Sequence, residues 1–241
     1  MRPERRGNVE SRTLFSGLRI AVGPSFVCVR SDKTLTVLSS APVRGGWCEA
    51  SCIVNRRVPA DYHEPDPQRD TVRWLIRHGF DPEKAVALMT AARTEDAACT
   101  RVEGDGFCLA ALVTAGVGNA VRAGSGGISA DDRWRPGTIN IILLVDGNVT
   151  ESAMAGALVT ATEAKAAALQ DLEVTDPGGN VATGTSTDAV VIARIRRMGG
   201  PVHLYAGTVS PFGRAVARAV YDAVAEAVLR EREREEGKDG S

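Results

Sequence analysis

Apolar positions in this chain alternate in some stretches and recur at helical spacing in others, and the two periods lay out a succession of elements. Strand-like patterning runs from Thr13 to Ser40. Leu18, Ile20 and Val22 alternate there, and Phe26–Val29 and Leu35–Leu38 are β-rich. Gly23-Pro24 and Ser31-Asp32 punctuate this stretch as turns. A loop over Ala41-Pro42 and Gly45-Gly46 leads to a short strand at Cys52–Asn55. Phe107–Thr114 reads as a buried strand. Ile139–Val145 is apolar nearly throughout, as a central strand covered on both faces needs to be. Asp146-Gly147 or Gly147-Asn148 is expected to end it. Val86–Thr90, Val181–Thr183 and Val190–Ile195 supply the remaining strands.

Helices are marked by their caps. Tyr62–Gln68 carries Pro65 and Pro67 and reads as a loop, so a helix is expected from about Asp70 to His78, with Gly79 closing it. Asp81-Pro82 has the N-cap and first-position signature of a second, short helix. Thr150 is placed to cap a long helix over Glu151–Leu172. Ser210-Pro211 opens a terminal helix in which Val216, Val220, Val224 and Val228 recur every four residues. That helix is expected to fray through Arg230–Glu236, where opposite charges alternate along a solvated face. Strands mixed with helices predict one α/β or α+β domain over 13–236, a mixed sheet covered by helices, with flexible tails at 1–12 and 237–241.

Charge and composition remove several classes. The formal net charge is −1, so no global field attracts nucleic acid or anionic lipid, and neither is expected as a partner. No apolar run approaches the roughly 20 residues of a membrane span. The charged start Met1-Arg2-Pro3-Glu4-Arg5-Arg6 is followed by no signal-peptide core, so the cytoplasm is the expected location. Five cysteines sit mostly among apolar neighbours and suit buried, reduced thiols. Cys48 and Cys52 with His63 match no standard zinc spacing, so no metal site is assigned. Homo-oligomerisation is left open.

Candidate chemistry lies in the turns. Met89-Thr90-Ala91-Ala92, Val113-Thr114-Ala115-Gly116 and Ala182-Thr183-Gly184-Thr185 each follow a β-rich segment, and the last continues as Ser186-Thr187-Asp188. Small residues admit a ligand close to the backbone, and hydroxyls offer short polar contacts. Turn formation alone explains any one of them. Several together, beside Pro136-Gly137-Thr138 and Gly116-Val117-Gly118-Asn119, favour a ligand site. Phosphate-loop and GxGxxG signatures are absent, which disfavours a nucleotide-binding regulator.

Lys165 is the most informative single position. Lysine occurs only at 33, 84, 165 and 238, and Lys165 shares a helical face with Met154, Leu158, Ala161, Leu169 and Leu172. It either snorkels to water or meets a partner, as base or as the holder of a carboxylate such as Asp188. Glu163 lies about 160° away on that wheel and cannot serve the same pocket. His78 fits a helix C-terminus, while His63 and His203 stand in loop-like stretches from which either could reach a site.

The chain resembles the adenosylcobinamide amidohydrolase family. The similarity rests on Leu38–Pro42 with Gly45-Gly46, Asn55 with Val58-Pro59, Met89–Ala92, Val113–Ala120, Pro136–Asn140, Thr162–Ala166 and Thr183–Asp188, in order, over about residues 35 to 225. The resemblance implies hydrolysis of the amide linking aminopropanol, or its phosphate, to the corrin ring. That reaction gives adenosylcobyric acid for cobalamin salvage, with the cobalt corrinoid as substrate and no further cofactor required. Arg56-Arg57 stand where a histidine-containing stretch is expected, so no catalytic histidine is assigned there.

Under this reading Asp188 is the base, acting on water or on the Thr185 hydroxyl. Lys165 orients or protonates, and Asn140 with the backbone N–H groups of Gly116–Asn119 stabilises the oxyanion. Asn55, Thr90, Thr114, Asn119, Ser186 and Thr187 are the expected substrate contacts. Self-cleavage that exposes Thr185 as an N-terminal nucleophile is a competing mechanism. A non-catalytic corrinoid-binding or sensing protein is the competing function.

Overall fold

The computed structural model describes residues 10–125 and 137–239. In chain order the strands and helices are β1 (Glu10–Phe15), β2 (Leu18–Val22), β3 (Phe26–Ser39), β4 (Gly46–Arg57), α1 (Pro67–Arg77), β5 (Ala85–Thr90), β6 (Ala98–Gly104), β7 (Phe107–Thr114), β8 (Ala120–Val121), β9 (Asn140–Val149), α2 (Glu151–Asp171), β10 (Gly184–Thr185), β11 (Ala189–Ile195), β12 (Val202–His203) and α3 (Pro211–Asp239). The class is α+β. Ten strands form one mixed sheet along the path β1-β2-β3-β11-β9-β7-β6, with β4 and β5 continuing from β3 and β12 from β9. β8 and β10 form a separate two-stranded ribbon.

Strand alternation sorts the core into layers. Leu109, Ala111 and Val113 of β7, Ile141, Leu143 and Val145 of β9, and Val190 and Ile192 of β11 share a cluster with buried residues of α2 and α3. The intervening residues, among them Leu112, Ile142, Leu144 and Val191, meet Leu18, Val29, Ile53 and Leu88 from β2, β3, β4 and β5. On the far side, Cys28, Cys52, Val54 and Ala87 pack on Trp74 and Leu75 of α1. The sheet therefore coils until its halves face each other, with helices on both outer surfaces.

Several sequence expectations are corrected. Ser31-Asp32 is not a turn: β3 runs through it with a register shift between Arg30 and Leu35, an irregularity that polar exposed positions tolerate. Glu10–Arg12 belong to β1 rather than to a flexible tail, and β1 and β2 are joined at Ser16-Gly17, both with positive φ, as a two-residue hairpin requires. The first helix starts earlier than expected, because Asp66 caps it by accepting from the Arg69 N–H at 2.9 Å with Pro67 at the first position. No helix forms at Asp81-Pro82. The Asp81 carboxylate accepts from the Glu83 N–H at 3.0 Å in a turn, and β5 begins at Ala85 before a helix has room to form.

β9 does not stop at Asp146-Gly147. Asp146 is buried and accepts from Arg197 and Ser16, and any Cβ at Gly147 would lie 2.9 Å from the Phe107 Cβ. Val181–Thr183 is not a strand of the main sheet; Val181 forms an isolated bridge to Thr175. The terminal helix continues through its charged run to Asp239 instead of fraying. That run is not a purely solvated face, since Arg230 donates to the Ala97 carbonyl at 2.8 Å and Arg232 to the Leu172 carbonyl at 2.9 Å. Residues 1–9 and 240–241, from the expected tails, lie outside the described residues, as does Pro136.

Candidate functional site

β9 and β11 are parallel and both start at one end of the sheet, and antiparallel β7 finishes there. The turns singled out in the sequence meet at this end. Asp188 immediately precedes β11 and Asn140 opens β9, while Thr114 ends β7 and Thr90 ends β5.

Asp188 is the hub. Its Oδ2 accepts from the Lys165 ammonium and, at 3.0 Å, from the Thr185 N–H; its Oδ1 accepts from the Thr185 hydroxyl and, at 2.9 Å, from the Ile139 N–H. Lys165 projects from the buried face of α2, where 94% of its surface is covered, while Glu163 points to solvent as the helical wheel requires. Thr150 caps that helix through the Ala153 N–H at 3.1 Å, an interaction typically worth about 1 kcal/mol. Gly184 lets the ion pair close. A Cβ there would lie 2.4 Å from the Asp188 Oδ2 and 2.6 Å from the Lys165 Nζ.

A second group lines the adjoining surface. The Asn119 amide donates to the Ser186 Oγ at 2.7 Å, and the Thr187 and Thr138 hydroxyls lie 2.5 Å apart. Among the described residues Asn119 Oδ1 is buried without a donor, and a Cβ on Gly137 would sit 2.1 Å from it. Thr138 was not among the expected contacts.

Behind these lies a buried polar chain. Asn55 donates to the Thr114 Oγ1 at 2.8 Å, and Asn140 donates to the Asn55 Oδ1 at 2.9 Å and to the Met89 carbonyl at 2.7 Å. Asn55, Thr90, Thr114 and Asn140 all lie on the inward face of their strands, capping the apolar interior between the sheet halves. Both amide hydrogens of Asn140 are thus committed, and its Oδ1 is left without a donor among the described residues. The oxyanion donors expected of this region narrow as well. The Gly116 N–H bonds the Thr138 carbonyl at 3.0 Å and the Val117 N–H bonds Glu231, leaving those of Gly118 and Asn119 without a hydrogen bond among the described residues.

Glu231 is a second residue that sequence reasoning missed. Burial pushes its carboxyl up to about 7, with Glu235 adding to the rise and the Val117 N–H and Arg232 opposing it. The available signal was its position three residues beyond Val228, which extends the apolar stripe of α3 onto an acid.

Other candidates are drawn elsewhere. His203 packs edge-on against Phe107 at 4.9 Å and belongs to β12, beside the Val149 end of β9. Nine residues of strand, about 30 Å, separate it from the Asn140 end, so it does not reach the site. His78 donates through Nδ1 to the Trp74 carbonyl, 2.8 Å away, at the end of α1, and His63 is exposed in the loop before α1. Arg56 pairs with Asp70 at 2.7 Å and lies over the Tyr62 and Trp74 rings, which ties β4 to α1. Cys52 Sγ faces Cys28 Sγ at 3.4 Å whereas Cys48 Sγ donates to the Arg44 carbonyl, so Cys48 and Cys52 do not share a centre. Among the described residues no helix is long and apolar enough to cross a membrane.

The model of a family described as adenosylcobinamide amidohydrolase matches residues 11–236. An adenosylcobinamide amidohydrolase of Methanosarcina mazei is 32% identical over 201 residues, covering 78% of this chain and 90% of the relative. One from Halobacterium salinarum is 30% identical over 189 residues, covering 75% and 74%. An uncharacterised protein of Methanocaldococcus jannaschii is 31% identical over 210 residues, covering 78% and 80%. A solved structure of a protein from Pyrococcus horikoshii aligns over 93% of this chain and 84% of its own, with a TM-score of 0.43 and 12% identity.

Proposed function

The chain belongs to the adenosylcobinamide amidohydrolase family, and from that premise we propose that it hydrolyses the amide joining aminopropanol, or its phosphate, to a propionate of the corrin ring. The products are adenosylcobyric acid and the free amino alcohol, so the reaction serves cobalamin salvage and remodelling.

One observation carries the mechanism. A carboxylate offers about four lone-pair positions, and Asp188 meets four donors: the Lys165 ammonium, the Thr185 N–H and hydroxyl, and the Ile139 N–H. With these four donors in place no lone-pair position is left for a water, and the Thr185 hydroxyl is the donor among them placed to act as a nucleophile. The hydroxyl is therefore the group on which the carboxylate acts. Nucleophile, base and a third group orienting the base is the arrangement that activated hydroxyls require.

Thr185 Oγ attacks the amide carbon and its proton passes to Asp188. The oxyanion is held by the Gly118 and Asn119 N–H groups. Collapse breaks the C–N bond as Asp188 returns the proton to the leaving amine, which departs as aminopropanol. An ester remains on Thr185. Water hydrolyses it, releasing the carboxylic acid and restoring the hydroxyl. Lys165 holds Asp188 throughout, and Asn140 braces the Asn55–Thr114 chain rather than the oxyanion. Asn119, Ser186 and Thr187 face the amide-rich periphery of the corrinoid. The cobalt enters as part of the substrate.

Intact mass after acid quenching during turnover tests this route. An acyl adduct on the peptide containing Thr185 is expected, and Thr185→Ala should lose both adduct and turnover. Normal turnover in Thr185→Ala would remove the hydroxyl from the mechanism. A chain cut between Gly184 and Thr185 would replace this route with self-processing.

A further inference from the structure

The Val117 N–H points at both oxygens of Glu231, 2.9 and 3.2 Å away. Glu231 comes from the last turns of α3, more than a hundred residues along the chain from the turn it meets. Gly116 packs against the same carboxyl, and a Cβ added there would lie 3.4 Å from Oε1. Neighbouring residues of the helix anchor it to other segments. Arg230 holds the Ala97 carbonyl, Arg232 the Leu172 carbonyl and Arg234 the Asp96 carboxylate. These three contacts fix the helix end, so Glu231 meets the turn from a rigid base. The turn it grips carries the Gly118 and Asn119 N–H groups and the Asn119 side chain that reaches Ser186.

We propose that Glu231 is a positioning residue for the Ala115–Asn119 turn, so that the end of α3 belongs to the active-site apparatus. The inference rests on the amidohydrolase reading for its kinetic consequences and on geometry alone for the clamp. The group can accept the Val117 N–H in either protonation state, and more strongly as carboxylate. The charged groups facing it are Glu235 and Arg232 on its own helix. One step further on, Arg234 sits among Arg93, Glu95 and Arg57. The Ala115–Asn119 turn itself brings no charged side chain.

Glu231→Ala, Glu231→Asp and Glu231→Gln in the full-length protein test the clamp. Alanine has no acceptor, and aspartate is one methylene too short. Both should lower kcat by about tenfold, the effect of losing one charge-assisted hydrogen bond that orients donors in the transition state, with a smaller change in KM. Glutamine keeps the acceptor and should recover most of that loss. It should also remove from the wild-type pH profile a rise in kcat centred near pH 7. Wild-type kcat in the folded Ala and Asp variants, or a Gln variant as slow as Ala, would overturn the proposal. Hydrogen exchange at the Val117 amide reads the clamp without turnover. Exchange should quicken about tenfold in Ala and Asp but not in Gln, and unchanged protection in all three refutes it. If the wild type released no aminopropanol, the functional reading would fail, while the exchange result would still decide the clamp.

Discussion

Replacing Lys165 by Met, Asp188 by Asn, and both together asks whether the buried pair is one unit. The two side chains retain only 8% and 11% of their exposure. Removing one member of such a pair costs roughly 3–5 kcal/mol, because the other charge is left buried and uncompensated. The two single variants should differ. Asp188 is the one hydrogen-bond partner of the Lys165 ammonium among the described residues, so Asp188→Asn strands a cation and should cost about 5 kcal/mol. In Lys165→Met the carboxylate keeps Thr185 and Ile139 as donors, and the cost should be nearer about 3 kcal/mol. With both charges gone nothing is stranded. The double variant should be at least as stable as Asp188→Asn alone, a departure from additivity of about 3 kcal/mol. Urea unfolding followed by circular dichroism supplies the three differences, provided the slopes agree. Additivity within about 0.5 kcal/mol would refute the reasoning and make the pair a surface-like contact.

Three further outcomes follow from the same geometry. Gly184→Ala should lower stability by about 1–3 kcal/mol and abolish turnover, because its Cβ would intrude on both Asp188 and Lys165; a thermal melt and an activity assay check both. Thr185→Ser should keep measurable turnover while Thr185→Ala falls by about a hundredfold or more, read as kcat under saturating substrate. Glu231, whose carboxyl is raised from the ordinary 4.5 to about 7, binds more protons folded than unfolded, so its contribution to stability is complete below pH 4.5 and is lost as pH rises through 7. Stability of the wild type should therefore fall more between pH 5 and 8 than that of Glu231→Gln, as measured by urea unfolding at the two pH values.

Legibility followed the strength of local periodicity. β7 and most of β9 were readable because continuous apolar runs have few alternatives, and α2 because Thr150 caps it and its apolar stripe is broken by one lysine. The same anomaly led from Lys165 to Asp188. β6 was missed because it is an edge strand whose exposed Arg101 and Glu103 mimic a loop. The apparent helix at Asp81 failed because cap chemistry and turn chemistry use the same residues. Asn140 illustrates a limit of another kind: sequence marked it as polar in an apolar run, but its hydrogens go to Asn55 and Met89, contacts made across 85 and 51 residues of chain. Glu231 was hidden in a charge run whose composition resembles any solvated helix end, and the test applied to Lys165 would have singled it out.

The account turns on whether the amide is cut. Purified protein incubated with adenosylcobinamide, followed by chromatography of the corrinoids and amines, measures this directly. Adenosylcobyric acid and aminopropanol appearing in equal amounts, and absent with Thr185→Ala, is the predicted result. Adenosylcobinamide that binds but is recovered unchanged would contradict hydrolysis and leave a corrinoid-binding protein.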